Sequence, residues 1–95
     1  MNKFVLSTNQ ATPAQRNAIT EALRKPELGW WHWFPDIWLI VDASGQHTED
    51  SLLEVLHPLV PEVFMLMLNV TGSRGFRGWG PKNMGEWLDK QWQER

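Results

Sequence analysis

The stretch WWHWFPDIWLIVD, residues 30–42, decides the fold predicted for this chain. Aromatic and β-branched residues dominate it, as is typical of strands, and Pro35-Asp36 interrupts it in the way a turn does. The stretch therefore predicts a hairpin of two strands joined by a tight turn. A two-residue loop aligns the flanking residues in two pairs, Phe34 with Ile37 and Trp33 with Trp38.

This register gives the hairpin two faces, because side chains alternate along a strand. One face has the aliphatic residues expected beneath helices and consists of Trp30, His32, Phe34, Ile37, Leu39 and Val41. The other face is mainly aromatic and consists of Trp31, Trp33, Trp38 and Ile40. Its three tryptophans either stack on nucleobases, as aromatic side chains do on RNA-binding sheets, or are buried in a homodimer or under the C-terminal helix.

The residues before the hairpin predict a strand and a helix. The apolar segment Lys3–Ser7 predicts the strand. Thr12 opens the helix, with Pro13 at the first helical position and Gln15 three residues after the cap, which is the capping-box pattern. Pro26 then ends the helix.

The residues after the hairpin predict a helix, a strand, a loop and a last helix. Thr48 caps the second helix, whose apolar stripe is Leu52, Val55, Leu56 and Leu59. Residues 63–70 are apolar almost throughout, which predicts a central strand buried on both faces. The last helix begins near residues 81–83, and its apolar side consists of Met84, Trp87, Leu88 and Trp92.

The order β-α-β-β-α-β is that of the split βαβ, ferredoxin-like arrangement. It predicts one α+β domain over residues 1–95, with a four-stranded antiparallel sheet and two helices on one face. A glycine- and arginine-containing loop (71–82) and a helix (83–93) are appended to this domain.

The composition limits the classes of function. The 95 residues have a net charge of −2, so the domain as a whole is not a basic nucleic-acid binder and an anion site must be local. There is no cysteine to supply disulfides or thiolate zinc ligands, which leaves the seven tryptophans and oligomerisation to reinforce a small core. The first ten residues lack the apolar run of a signal peptide, and no stretch approaches the roughly 20 apolar residues of a membrane span. We therefore expect a cytoplasmic protein without membrane contact.

The loop after the last strand is the best candidate for a binding site. Residues 71–83 (TGSRGFRGWGPKN) contain four glycines, three cations and no acidic residue. Glycines let the backbone approach an anion, arginine clamps phosphate, and aromatic rings stack on bases. The candidate ligand-binding residues are Ser73, Arg74, Phe76, Arg77, Trp79 and Lys82. The alternative is a connector whose arginines pair with carboxylates across a dimer.

The segment WWHWFPDIWLI and the GWGP…EWL ending resemble the SinR family of small bacterial and phage proteins. That family looks like a distant relative of the small CRISPR-associated dimeric ferredoxin-like protein and of virulence-associated protein D. The resemblance implies a homodimer whose subunits meet through sheet faces and edges. The better-known relatives include nucleases with a metal-binding aspartate at the end of the first strand. Here the corresponding residues are Leu6-Ser7-Thr8-Asn9, without a carboxylate.

No catalytic residue, metal site or cofactor is predicted. The three histidines lack metal-ligand spacing, and turn chemistry accounts for Asp36 and Asp42 at the two ends of the second hairpin strand. The first hypothesis is a non-catalytic homodimeric module that binds a nucleotide, an oligonucleotide or another phosphate-bearing ligand. The alternatives are a metal-dependent nuclease and a protein-interaction module of a toxin–antitoxin or phage–host system, with a protein partner.

Overall fold

The computed structural model describes residues 1–73 and 75–92 of the chain. Its main elements are β1 (Asn2–Thr8), α1 (Pro13–Ala22), β2 (Leu28–Trp31), β3 (Ile37–Asp42), α2 (Glu49–Leu56), β4 (Met65–Asn69) and α3 (Lys82–Trp87). A 3-10 turn, His57–Leu59, follows α2, and a π-helical segment, Leu88–Trp92, continues α3. We call α3 and this segment together the C-terminal helix. The helices in the described part of the chain are too short or too polar to span a lipid bilayer.

The four strands form one antiparallel sheet in the order β2-β3-β1-β4. The two central strands, β1 and β3, are not consecutive in the chain, so each strand-helix-strand unit is split by a strand of the other, as in ferredoxin-like folds. The predicted α+β class and four-stranded antiparallel sheet are confirmed.

Both predicted helix starts are confirmed, because each has a reciprocal cap. The Gln15 N–H donates to Thr12 Oγ1 at 3.2 Å, and the Thr12 N–H donates to Gln15 Oε1 at 2.8 Å. In α2 the Ser51 N–H donates to Thr48 Oγ1 at 3.0 Å, and the Thr48 N–H donates to Ser51 Oγ at 2.9 Å. These bonds satisfy backbone donors that have no partner within the helix, and each cap stabilises its helix by about 1 kcal/mol.

The hairpin register differs from the predicted one. Trp30 lies opposite Ile40 and Trp31 opposite Leu39, and residues 32–36 form the connection. The strands are thus joined by five residues instead of two, which shifts the pairing by one residue and exchanges the two faces of β3. Ile40 therefore packs with the residues beneath α1 and α2, whereas Leu39 and Val41 pack on the opposite side of the sheet.

The main core lies between the sheet and the helices α1 and α2. Trp38 belongs to this core, contrary to its predicted place on a face shared with Trp31 and Trp33. Its side chain is fully buried, and its indole N–H donates to Thr20 Oγ1 at 3.1 Å. The His32 ring stacks on the Trp38 ring, with 3.9 Å between ring centroids, and His32 Nε2 lies 2.8 Å from the Pro35 carbonyl oxygen. Trp38 is therefore a structural residue, and no aromatic face contains all three tryptophans.

The buried stripe of α2 is narrower than predicted. Leu52 and Leu56 are buried in the main core, as expected. Val55 is 45% exposed and Leu59, in the 3-10 turn, is 52% exposed. The 3-10 turn changes the helical rotation, so an α-helical spacing of apolar residues does not extend to Leu59.

β4 is an edge strand, so its prediction as a central strand buried on both faces is wrong. Met67 is buried beneath the helices, but Leu66 and Leu68, on the other face, are 57% and 49% exposed. Phe64, just before the strand, is 79% exposed. A uniformly apolar sequence is typical of a central strand, yet here it forms an exposed edge.

The C-terminal helix covers part of the sheet face that α1 and α2 leave open. Val41 of β3 is buried against Leu88 and Trp92. Partly buried residues surround these three and include Val5, Leu39, Met84 and Trp87. The predicted apolar side of the last helix thus contacts its own sheet and forms a second, smaller core.

Candidate functional site

The loop after β4, residues 71–82, begins as a firmly held turn; we call it the Gly/Arg loop. The Lys3 N–H donates to Thr71 Oγ1 at 2.9 Å, and the Thr71 N–H donates to Asn69 Oδ1 at 3.0 Å. Gly72 has a φ of +86°, a left-handed conformation that favours glycine. The Ser73 N–H then donates to the Val70 carbonyl at 3.0 Å, which closes the turn and fixes the direction in which the loop leaves the sheet.

A buried lysine ties this turn to the C-terminal helix. The Lys3 side chain is fully buried, and its ammonium donates to the Ser73 carbonyl oxygen. The ammonium also lies 5.1 Å from the ring centroid of Trp92, a cation–π contact. Because a buried charge is unfavourable without polar partners, these two contacts restrain both the loop and the helix around Lys3.

Three of the predicted ligand-binding residues lie together around a pocket of about 280 Å³. We call it the loop pocket; the Gly/Arg loop contributes Phe76, Arg77 and Trp79. The hairpin contributes Trp31, Phe34 and Leu39. The Trp79 side chain is 98% exposed, whereas Phe76 is 40% exposed. The sequence-predicted site is therefore an apolar pocket with an arginine and an exposed indole around it.

Two other predicted residues, Ser73 and Lys82, lie nearby in the chain but outside this pocket's walls. Ser73 belongs to the turn at the start of the loop, and Lys82 is the first residue of α3. Arg74 lies outside the described residues. Gly80 permits a close approach between loop and helix, since an added Cβ would lie 2.8 Å from Met84 Sδ and would displace that side chain.

Arg77 and Lys82 have no carboxylate partner among residues 1–73 and 75–92. The ion pairs there join Arg16 to Asp36, Arg24 to Glu21 and His47 to Glu27. The sequence has no acidic residue between positions 71 and 85. Both cations are exposed and face no competing acid from the loop, which makes them available to an anionic ligand.

A second concave site lies at the open edge of β2, between α1 and the C-terminal helix. We call it the edge cleft; its volume is about 540 Å³. Its aromatic walls are Trp30, Trp31, His32, Trp33 and Trp87. Its polar groups include Asn17 of α1 and Asn83, Glu86, Lys90 and Gln91 of the C-terminal helix. The sequence signal was the density of tryptophans, but sequence reasoning did not bring these three segments together.

Trp31 is the wall that the two sites share. Its side chain is only 3% exposed, and Trp33 and Phe34 pack edge-on against it at centroid distances of 6.5 and 5.0 Å. Its indole N–H has no hydrogen-bond acceptor among the described residues. An unpartnered buried donor costs about 1–3 kcal/mol, in contrast to the satisfied indole N–H of Trp38.

Asp36 stabilises the connection between β1 and α1. It accepts hydrogen bonds from the Thr8 hydroxyl at 2.6 Å and the Ala11 N–H at 3.1 Å, and Arg16 lies 3.5 Å away. The Thr8 hydrogen bond is the main cause of a lowered Asp36 pKa, with help from Ala11 and Arg16 against the opposing effect of burial. The Asp36 carboxylate, which lies beside the end of β1, therefore has a structural role.

Asp42 organises the turn that precedes α2. Burial by itself would raise the Asp42 pKa, but hydrogen bonds from Ser44 and His47 outweigh it and lower the pKa overall. The Ser44 hydroxyl donates at 2.6 Å and the His47 N–H at 2.7 Å.

Asp36 and Asp42 flank β3, so they are about 20 Å apart along the strand and cannot share one metal ion. Among the described residues there is no group of three or more histidines or carboxylates placed to hold a metal.

No protein-family model matches the chain, and no curated protein or solved structure is significantly similar to it. The resemblance to the SinR family stays a prediction.

Proposed function

We propose that this chain is a non-catalytic, homodimeric, cytoplasmic binding module for a nucleotide, a short oligonucleotide or another phosphate-bearing ligand, held by the Gly/Arg loop. The observation that carries the proposal is the 98% exposure of the Trp79 side chain beside Arg77, around an apolar pocket. Tryptophan is highly buried on average in folded proteins, because its ring has a large apolar surface. The exposed Trp79 ring can stack on a flat group, and the Arg77 guanidinium can bind an anionic group of the same ligand.

The two kinds of contact make separate contributions. Stacking of a base on an exposed aromatic ring contributes about 1–3 kcal/mol. Arg77 and Lys82 supply charged donors to phosphate oxygens, and Arg74 adds a third cation to the same loop of an otherwise acidic chain. The acidic remainder of the protein does not attract phosphates, so binding depends on these local cations.

Fluorescence anisotropy with a labelled six-nucleotide single strand tests this proposal. Arg77→Glu should abolish binding, and Trp79→Ala should weaken it by about five- to a hundredfold, the range that corresponds to one stacked base. Lys25→Glu, an equal change of charge at an exposed position between α1 and β2, is the matched control and should bind like the wild type. Unchanged affinity in both loop variants would refute the proposed site.

The homodimeric part of the proposal is supported by the exposed apolar face of β4. Phe64, Leu66 and Leu68 lie on this edge segment, and residues 63–70 contain neither a charged residue nor a proline to protect the edge. Pairing with a second copy would bury these side chains and satisfy edge backbone groups. Leu66→Lys should therefore convert a dimer to a monomer in sedimentation equilibrium, whereas Val55→Lys on α2 should not. A monomeric wild type would contradict the dimer.

The same apolar face favours one alternative, a protein-interaction module in which a different protein covers β4. A stoichiometric partner that is lost with Leu66→Lys but kept with Arg77→Glu would favour this alternative. The positions of Asp36 and Asp42 do not favour the metal-dependent nuclease, because each carboxylate is held by its own local hydrogen bonds.

A further inference from the structure

We propose that the edge cleft is a nucleobase-binding pocket, and that the ligand is therefore a single-stranded nucleic acid of at least two nucleotides. The inference rests on the proposed function, since the Gly/Arg loop supplies the contacts to phosphate and to a neighbouring base. It narrows the ligand class from any phosphate-bearing molecule to a strand long enough to occupy both sites.

The size and walls of the cleft suit a flat ligand. Its volume of about 540 Å³ lies within the 300–1,000 Å³ typical of small-molecule pockets. Trp33 is 54% exposed, and the Trp30 ring is held from one side by the Arg24 guanidinium at 5.3 Å. Trp87 comes from the C-terminal helix, so a planar group in the cleft meets tryptophans from the hairpin and from this helix. Stacked bases make this kind of contact regardless of sequence.

The polar groups that line the edge cleft favour a neutral base over a cationic ligand. Aromatic cages that hold quaternary ammonium groups rely on ring faces and are spoiled by a competing cation. Here the charged lining residues are one carboxylate, Glu86, and one cation, Lys90, so the lining has no net negative charge to attract a cation. The Arg24 guanidinium already lies over the Trp30 ring. The amides of Asn17, Asn83 and Gln91 offer donors and acceptors together, which match the polar edges of a base. A neutral heteroaromatic ring satisfies both the walls and the amides.

Trp31 connects the cleft to the Gly/Arg loop. Trp31 lines both the edge cleft and the loop pocket, so the two sites adjoin at this residue. Two adjoining aromatic sites, one bordered by cations, fit consecutive nucleotides of one strand.

The test separates the two sites by using a ligand without phosphate. Equilibrium dialysis measures adenosine binding at millimolar concentration, and anisotropy measures binding of the labelled hexanucleotide. The cleft variant is Trp33→Ala with Gln91→Ala, two exposed positions that belong to neither hydrophobic core. We expect adenosine to bind the wild type and Arg77→Glu equally, and to lose at least about fivefold in affinity with the cleft variant. The hexanucleotide should be weakened by the cleft variant and by Arg77→Glu.

Failure of the inference and failure of the proposed function give different results. If adenosine does not bind, and the hexanucleotide depends on Arg77 but not on the cleft residues, the base pocket is wrong while the loop site stands. If adenosine binds in the cleft but Arg77→Glu does not change the affinity for the hexanucleotide, the loop site is wrong and the cleft is a nucleoside pocket. Far-UV circular dichroism of each variant confirms that it is folded.

Discussion

Trp31 and Trp38 are both buried but differ in whether the indole N–H has a hydrogen-bond acceptor. We therefore predict that truncating Trp31 destabilises the protein much less than truncating Trp38. Both side chains are at least 97% buried, but the Trp38 N–H donates to Thr20 whereas the Trp31 N–H has no acceptor among the described residues. Replacing each by phenylalanine deletes the same atoms. The matched pair therefore isolates the contribution of the indole N–H.

The magnitude follows from three terms. Loss of one ring of the indole and the resulting cavity cost about 1–2 kcal/mol at either position. At Trp38 the lost hydrogen bond adds about 0.5–1.5 kcal/mol, which gives a total of roughly 2–3 kcal/mol. At Trp31 the substitution removes an unpartnered buried donor, which stabilises the folded state by about 1–3 kcal/mol. The net change in unfolding free energy at Trp31 is therefore close to zero. We expect Trp38→Phe to cost about 2 kcal/mol or more beyond Trp31→Phe.

Urea denaturation followed by far-UV circular dichroism measures both changes without relying on tryptophan fluorescence. All proteins are compared at one concentration, because the unfolding midpoint of a homodimer depends on concentration. The dependence of the unfolding free energy on urea should be the same in wild type and variants, so that differences in midpoint report differences in stability. Equal destabilisation by the two substitutions, or a larger loss at Trp31, would show that the unpartnered indole N–H of Trp31 does not destabilise the folded protein.

Three further predictions test other parts of the structure. Thr12→Ala should lower the unfolding free energy by about 1 kcal/mol in the same urea assay, because it removes the cap of α1; an unchanged midpoint would contradict the reciprocal cap. Because the Asp42 pKa is lowered in the folded state, its contribution to stability is present above the ordinary aspartate range and is lost as the pH falls below about 4. Thermal unfolding of Asp42→Asn should thus depend less on pH between 5 and 3 than that of the wild type, and parallel profiles would count against this role. If three loop cations contact phosphates, the logarithm of the hexanucleotide association constant should fall with the logarithm of salt concentration with a slope of about −2; a slope of zero would exclude phosphate contacts.

The features that the sequence predicted correctly depend on neighbours in the chain. The Thr12 and Thr48 caps are formed by residues three positions away, so their signal is local. The element order and the apolar side of the last helix follow from periodicity over short windows. These local rules were enough to define the ferredoxin-like α+β arrangement.

The features that sequence reasoning missed depend on distant contacts. The register of β3 follows from the length of the hairpin connection, and a shift of one residue moved Trp38 from a predicted surface to the core. The apolar sequence of β4 does not reveal whether one or two strands lie beside it. The edge cleft combines residues from α1, β2 and the C-terminal helix, and local patterns do not determine how such distant segments meet.

The most direct test of ligand binding at the Gly/Arg loop is a ¹H–¹⁵N correlation spectrum of the indole N–H groups, because the seven tryptophans include residues of this loop, the edge cleft and both cores. The spectrum would be recorded during titration with the unlabelled hexanucleotide, and signals assigned by substitution of single tryptophans. We expect the Trp79 signal to shift as ligand is added until binding is saturated, and the Trp38 signal to remain in place. A titration at concentrations sufficient for the expected affinity that leaves Trp79 unmoved would contradict ligand binding at the Gly/Arg loop.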